Sequence, residues 1–323
     1  HIVCKNQEDE RMKKRLMAAV LSTAMAATML LTGSISVQAA DAAAANDPAV
    51  ELIFTSVSVS GDSHTEAMYE FADKVEELSG GSVTCKCYDN GSLFSSENEF
   101  DALLNGDADL AYISFPTIAT QIPSYSMFAS GYLFSSYEHM TSVLNGDIGL
   151  NKIRPQIEET LNIKPLSSFY LGSRVINTRE KEINSYDDMN GLLLRMPNSE
   201  AWLFLGEALG ANPTPLSFSE LYTALQTGAV DAQDNPLPSI ESAKFYEVTK
   251  YIAITNHVVD SIMPCINGDT WNSMTEAQQE AVTEAMEYAR DVNDTARLDR
   301  EAELIKFFEE QGLTVTYPDI NEF

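Results

Sequence analysis

Residues 191–234 read GLLLRMPNSEAWLFLGEALGANPTPLSFSELYTALQTGAVDAQD. Strand-like runs at GLLLRMP, NPTPL and AVDAQDN alternate with EAWLFLGEALG and SELYTALQTG, whose apolar residues recur at helical spacing. Such alternation predicts a parallel sheet with helices packed on it. One residue does not fit: Arg195 directly follows three leucines in a run bounded by Gly191 and Pro197 that reads as a buried strand. A guanidinium is always charged and costly to strip of water, so it needs an anion there. Either an acid elsewhere in the fold supplies it, or a ligand does.

Toward the N-terminus the same alternation recurs. VELIFTSVSV reads as a strand, and after the turn SGDSH the segment TEAMYEFADKVEELSG carries Met68, Phe71, Ala72, Val75 and Leu78 at helical spacing. Ser63 and Glu66 fit a capping box at its start. GSVTCKCYD is a second strand, SENEFDALLNG a helix ended by Gly106, and ADLAYIS a third strand. A helix-rich region spans Tyr137 to Leu161; strand-like IKPLSSFYLGSRVI follows, and a second α/β unit begins near Gly172. Toward the C-terminus, Thr275 and Gln278 cap a helix with apolar positions Val282, Met286, Ala289, Val292 and Ala296, continuing to Phe308 before Gly312 stops it. At 1.5 Å per residue, ~35 residues span roughly 50 Å, longer than one small lobe, so this helix is expected to bridge two.

Residues 1–11 read as an upstream extension, and 12–39 as a secretory signal: a basic start at Met12, an apolar stretch from Leu16 to Leu31, and a cleavage site near Ala39. An alanine-rich linker follows at 40–48. The sequence after the apolar run is LLTGS, with Ser34 where a lipid-bearing thiol would sit, so no lipid anchor is expected. Export places the mature chain in the periplasm or at the extracellular face.

Of the four cysteines, Cys4 lies in the extension, leaving Cys85, Cys87 and Cys265. An odd number cannot all pair, and C-x-C on a strand would strain a bridge. No obligatory disulfide is expected, and the scattered histidines do not complete a zinc spacing. The 48 acidic residues outnumber the 20 basic ones, giving a net charge of -28 that repels nucleic acid and anionic lipid. No phosphate-cradling glycine loop, metalloprotease helix or nucleophile elbow occurs, so neither cofactor nor metal is expected and an enzyme has no positive support. Paired acids such as Asp187-Asp188 and Glu309-Glu310 belong on solvated faces in a chain this acidic.

The run LLLRMPNSEAWLFLGEALGANPTPLSFSELYTALQTGAVDAQDNPLPSI, followed by KFYEVTKYIAITNH, resembles the substrate-binding proteins of tripartite ATP-independent periplasmic (TRAP) transporters, the DctP family. The likeness rests on Arg195-x-Pro197, Gly210-Ala211, the helix Phe218 to Gly228, the strand end Val230 to Pro236, and Lys244 to His257. It implies an α/β, two-lobed periplasmic-binding-protein-like fold with hinge strands and a long bridging C-terminal helix. Lobe I would span 49–171 and lobe II 172–260, with 261–300 returning to lobe I through the long helix and 301–323 packing on lobe II.

The resemblance also implies a site. Arg195 would anchor the ligand's carboxylate by a paired contact, Arg174 of LGSRVINT would add a second positive contact, and Asn235 of QDNP would donate to the same carboxylate. Phe218 would wall the cleft, and Asn198 would be a further donor. Weaker candidates are Ser114, Glu97 and His64, the last with a structural cap contact as its competing role; His257 reads as a strand-end hydrogen bond. Departures from the family's usual residues fall at Leu93-Phe94, Asn98 and SGYLF (130–134), all in the first lobe, which reads the ligand's other end. C4-dicarboxylates, uronates, 2-oxo acids and aromatic acids therefore all stay open. The expected function is capture of a small organic acid for a pair of membrane permease subunits. The alternatives are a secreted enzyme acting on carboxylated sugars with the same arginines, and a binding protein of another transporter type lacking the long helix.

Overall fold

The computed structural model describes residues 47–323. The upstream extension, the signal peptide, Ser34, the cleavage point at Ala39 and most of the linker lie outside the described residues.

Strands β1 (Val50–Thr55), β2 (Val83–Tyr88) and β3 (Leu110–Ile113) form a parallel ladder with β1 in the middle, linked by helices α1 (Ser63–Leu78) and α2 (Glu99–Asn105). The cap of α1 differs from the expected Ser63/Glu66 box. Asp62, extended at φ -72° and ψ 143°, precedes the helix and accepts from the His64 amide, so the carboxylate one residue upstream takes the role. Gly106 closes α2 in the left-handed conformation, as its position predicts. Short α3 (Phe115–Ile118), α4 (Tyr137–Leu144) and α5 (Arg154–Leu161) lead to β4 (Ile163–Pro165).

The second part begins on β5 (Phe169–Thr178) and alternates through β6 (Leu193–Met196), α6 (Glu200–Ala208), β7 (Asn212–Pro215), α7 (Phe218–Thr227), β8 (Ala232–Pro236) and α8 (Leu237–Ser242). Here β8, β6 and β7 run parallel, while β5 lies antiparallel to β8. Joining the two parts is β9 (Tyr251–Asn267), a 17-residue strand the periodicity did not reveal, because Thr255, Asn256, His257 and Asp260 interrupt its apolar pattern. Residues from Tyr251 to Ile262 pair with β5 and the last five with β3 and β4, so it passes unbroken across the boundary expected at 260/261. The strand order is β2-β1-β3-β9-β5-β8-β6-β7, parallel at its two ends and antiparallel where the parts meet.

The β5–β9 ladder carries two bulges, one at Tyr170/Gly172. Gly172 has φ +120°, and a Cβ there would stand 2.5 Å from Pro236 Cβ and 2.7 Å from Glu301 Oε1, so only glycine lets strand and helix approach this closely.

After α9 (Gly268–Ser273), helix α10 (Glu276–Glu310) runs 35 residues, opened by the expected Thr275/Gln278 capping box and followed by β10 (Thr314–Thr316). Its start packs Val282, Ala285, Met286 and Ala289 into the core of the first part, and its end packs Leu304 and Phe308 into that of the second. The stripe between them departs from expectation: Val292 is only half-buried and Ala296 is exposed, whereas Asn293, Asp294 and Arg297 are buried. Apolarity alone misplaced the buried face, because where the helix crosses between the parts it meets backbone and charged groups. Asn293 donates to the Tyr170 carbonyl (2.9 Å), and Asp294 accepts from the Tyr170 amide (2.8 Å).

Candidate functional site

Between the two parts lies a cleft of about 1080 Å³, its open mouth included. The first part contributes the β1–α1 connection, the turn entering α2 with Glu97 and Glu99, and the β3–α3 junction with Ser114 and Thr117. Across from these stand Arg174, Arg195, Asn198, Trp202, Phe218 and Asn235. Asp260 of β9 and Arg297 of α10 reach the cleft from the connecting elements.

Arg195 sits on β6 between β7 and β8 and is 3% exposed. Its Nε donates to the Leu216 carbonyl at 2.8 Å, and among the described residues no carboxylate lies within ion-pair distance. Burial, added to by the like charge of Arg174 and opposed by Asp234 and Glu97, pushes its pKa down to about 10, so it stays a cation at neutral pH. A buried cation with its fork toward a cavity is matched to a planar two-oxygen anion.

Arg174, on β5 beside the second bulge, is equally buried but its charge is spent within the protein. Nε and Nη2 clasp Asp234 at 2.8 and 3.0 Å, Nη2 also reaches the Asp234 carbonyl at 2.7 Å, and Nη1 meets Asp260 at 2.9 Å. Of its five N–H groups only one, on Nη1, is left for the cleft. The indole of Trp202 lies 4.5 Å from the guanidinium carbon. Burial opposes ionisation of Asp234, but Arg174 and His257 outweigh it and hold its carboxyl below the usual range; for Asp260, burial prevails over Arg174 and raises it. His257 lies within β9, where its Nε2 and Nδ1 face Asp234 and the Thr255 hydroxyl at 3.3 and 2.8 Å.

Asn235 donates to Gln233 at 2.6 Å, which fixes its amide at the cleft and leaves one N–H free. Phe218 packs edge-to-face on Phe245 while lining the cleft, and exposed Asn198 stands at the rim. Ser114 lines the opposite wall and caps α3 through the Thr117 amide; Glu97 lies exposed on the same wall. His64 does not line the cleft. It is buried behind Asp62, its Nδ1 2.6 Å from Arg297 Nη2, and burial together with Arg297 lowers its pKa to about 4.

The sequence reading passed over Arg297, Asp62, Asp260, Trp202 and Glu99. Arg297 pairs with Asp62 at 2.6 Å and reaches Ser239 of the second part at 3.4 Å, while Ser242 donates to Asp62 Oδ2 at 2.8 Å. Two hydrogen bonds thus join the parts beside the cleft. The signal that marked Arg195, a charge inside an apolar run, was equally present at Asp260 in HVVDSIM.

Residues 54–323 match the family model described as DctP, bacterial extracellular solute-binding protein family 7. The chain belongs to the DctP family. It is 34% identical over 252 residues to the sialic acid-binding periplasmic protein SiaP of Vibrio cholerae, covering 78% of both chains. Among solved structures, it is similar to a TRAP periplasmic solute-binding protein from Roseobacter denitrificans with bound 3-deoxy-D-manno-oct-2-ulosonic acid: TM-score 0.80, 39% identity, 85% of this chain and 90% of that one. A second such protein from that organism, with bound L-galactonate, superposes at TM-score 0.80 with 30% identity over 85% and 91% of the two chains. DctP proteins are TRAP-transport solute-binding proteins, not enzymes, which removes the carboxylated-sugar enzyme as an alternative. The bridging helix α10 and the match to TRAP structures remove the other transporter type.

Proposed function

We propose that this chain captures a sugar acid, a polyhydroxylated molecule with one carboxylate, and hands it to the permease subunits of a TRAP transporter outside the cytoplasmic membrane. The observation that carries this reading is Arg195: buried, charged, facing the cleft and, among the described residues, without an acid partner. The ligand carboxylate is that partner, held by the guanidinium fork with the free N–H of Asn235 and the remaining N–H of Arg174 beside it. Phe218 bounds the ligand, and Asn198 reaches it from the rim.

Counting charges narrows the class. Arg174 is neutralised by Asp234 and Asp260, and Arg297 by Asp62, so Arg195 is the one uncompensated cation lining the cleft among the described residues. The first part faces it with Glu97 and the hydroxyls of Ser58, Ser96, Ser114 and Thr117. A second carboxylate placed there would meet an acid and no free cation, whereas ligand hydroxyls would find partners. The ligands named for the three relatives are sugar acids with a single carboxylate, in keeping with this count.

Closure of lobe I (49–171) on lobe II (172–260) about β5 and β9 would complete these contacts, with the Asp62–Ser242 bond favouring the closed form. The basic, then apolar, residues 12–39 support export. The test is a thermal-shift and calorimetric panel: L-galactonate, D-glucuronate and 3-deoxy-D-manno-oct-2-ulosonate against succinate and malate. At least one sugar acid should bind with Kd near ~1 μM, about -8 kcal/mol, and the dicarboxylates at least tenfold more weakly. Preference for succinate overturns the assignment.

A further inference from the structure

Six buried side-chain polar atoms among the described residues have no hydrogen-bond partner, and Glu99 Oε1 is the one whose residue lines the cleft. Glu99 opens α2 in the first part and is 4% exposed, on the wall that also carries the hydroxyls of Ser58, Ser96, Ser114 and Thr117. Thr55 Oγ1, at the end of β1, is buried and unpartnered as well. The Thr55 hydroxyl lies close enough to oppose a shift in the Glu99 carboxyl without meeting hydrogen-bond geometry. Burial nevertheless dominates and raises that carboxyl well above the usual range.

Elsewhere around the cleft the buried acids are paired: Asp62 with Arg297, and Asp234 and Asp260 with Arg174. Among the described residues Glu99 has no cation within ion-pair distance. A buried polar group without a partner costs stability in the empty protein, and the cost is relieved by a ligand group that hydrogen-bonds to it. A ligand hydroxyl is such a group; a carboxylate offers no donor and an alkyl chain neither. Resting on the sugar-acid reading, we infer that Glu99, backed by Thr55, is the subsite that recognises a hydroxyl of the ligand at the end remote from its carboxylate. Neither the anchor residues nor the resemblance assigns Glu99 a part.

The test compares Glu99→Gln, which keeps a hydrogen-bonding head group, Glu99→Leu, which keeps only the volume, and Thr55→Val, which removes one hydroxyl at constant shape. Affinities are read by calorimetry for whichever of L-galactonate, D-glucuronate and 3-deoxy-D-manno-oct-2-ulosonate binds wild type most tightly. Propanoate serves as a carboxylate without hydroxyls. Glu99→Leu should lose about 10- to 100-fold for the sugar acid and under about 3-fold for propanoate. Glu99→Gln should stay within about 3-fold of wild type, with Thr55→Val between them. If Glu99→Leu does not fold, the Thr55→Val and Glu99→Gln pair decides on the same criteria. Unchanged sugar-acid affinity in Glu99→Leu and Thr55→Val, with binding still dependent on Arg195, overturns this subsite alone. Failure of wild type to bind any of the three sugar acids overturns it together with the assignment it rests on.

Discussion

Replacing Arg195 by Met separates a ligand anchor from a structural ion pair, because the two roles give opposite signs in the empty protein. A buried guanidinium pushed down to about 10 is destabilised as a cation by roughly 3 kcal/mol, and its bond to the Leu216 carbonyl returns about 1 kcal/mol. The unliganded variant should therefore be more stable than wild type by about 2 kcal/mol, a rise in melting temperature of about 4–8 °C at this chain length. Binding moves the other way. Two charge-assisted hydrogen bonds to a carboxylate at about 1.5–3 kcal/mol each amount to roughly 3–6 kcal/mol, so affinity should fall by about 10²–10⁴-fold. Differential scanning fluorimetry with and without a sugar acid reads both. At a hundredfold excess over Kd, wild type should gain about 2.7 kcal/mol from ligand and the variant almost nothing. A variant that melts several degrees below wild type yet keeps its ligand shift would refute the reasoning.

Arg174 should behave in the opposite manner: Arg174→Met leaves Asp234 and Asp260 buried without their cation, costing about 3–5 kcal/mol in urea denaturation, part of which Asp234→Asn restores. His64 is neutral in the folded state down to about 4, below its unfolded value near 6.5, so its contribution is complete above pH 6.5. Wild-type unfolding free energy should thus fall by about 3 kcal/mol between pH 6.5 and 4, and His64→Gln should flatten that slope. Asp62, held below the usual carboxylate range, adds its own loss below about pH 4. Ser242→Ala removes the hydroxyl bonded to Asp62 across the parts and should weaken sugar-acid binding by about 5-fold while leaving the melting temperature of the empty protein within a degree or so. Gly172→Ala should cost at least about 2 kcal/mol in chemical denaturation; a loss under about 0.5 kcal/mol would show that β5, β8 and α10 are not fixed at their crossing.

Helices and short parallel strands were legible because their signals are local. Each strand and helix around residues 191–234, the left-handed Gly106 and the Thr275/Gln278 capping box were readable within about a dozen residues. Arg195 was legible for the same reason: three leucines beside a guanidinium state a buried charge without reference to anything distant. Strand β9 was not legible, since His257 and Asp260 are polar for the sake of partners on β8 and β5, and Thr255 for the sake of His257 itself, and so they break the pattern that would have announced a strand. The polar middle of α10 escaped likewise: Arg297 is buried because Asp62, 235 positions away, neutralises it.

By itself, then, the sequence determined the order of the helices and short parallel strands, the length of the bridging helix and that an arginine lay buried at 195, all consequences of periodicity and local desolvation cost. Only the tertiary structure decided which arginine was free. Arg174 and Arg195 look alike in the chain, and the difference between an internal ion pair and an open anion site depends on which carboxylates β8 and β9 bring within 3 Å of each.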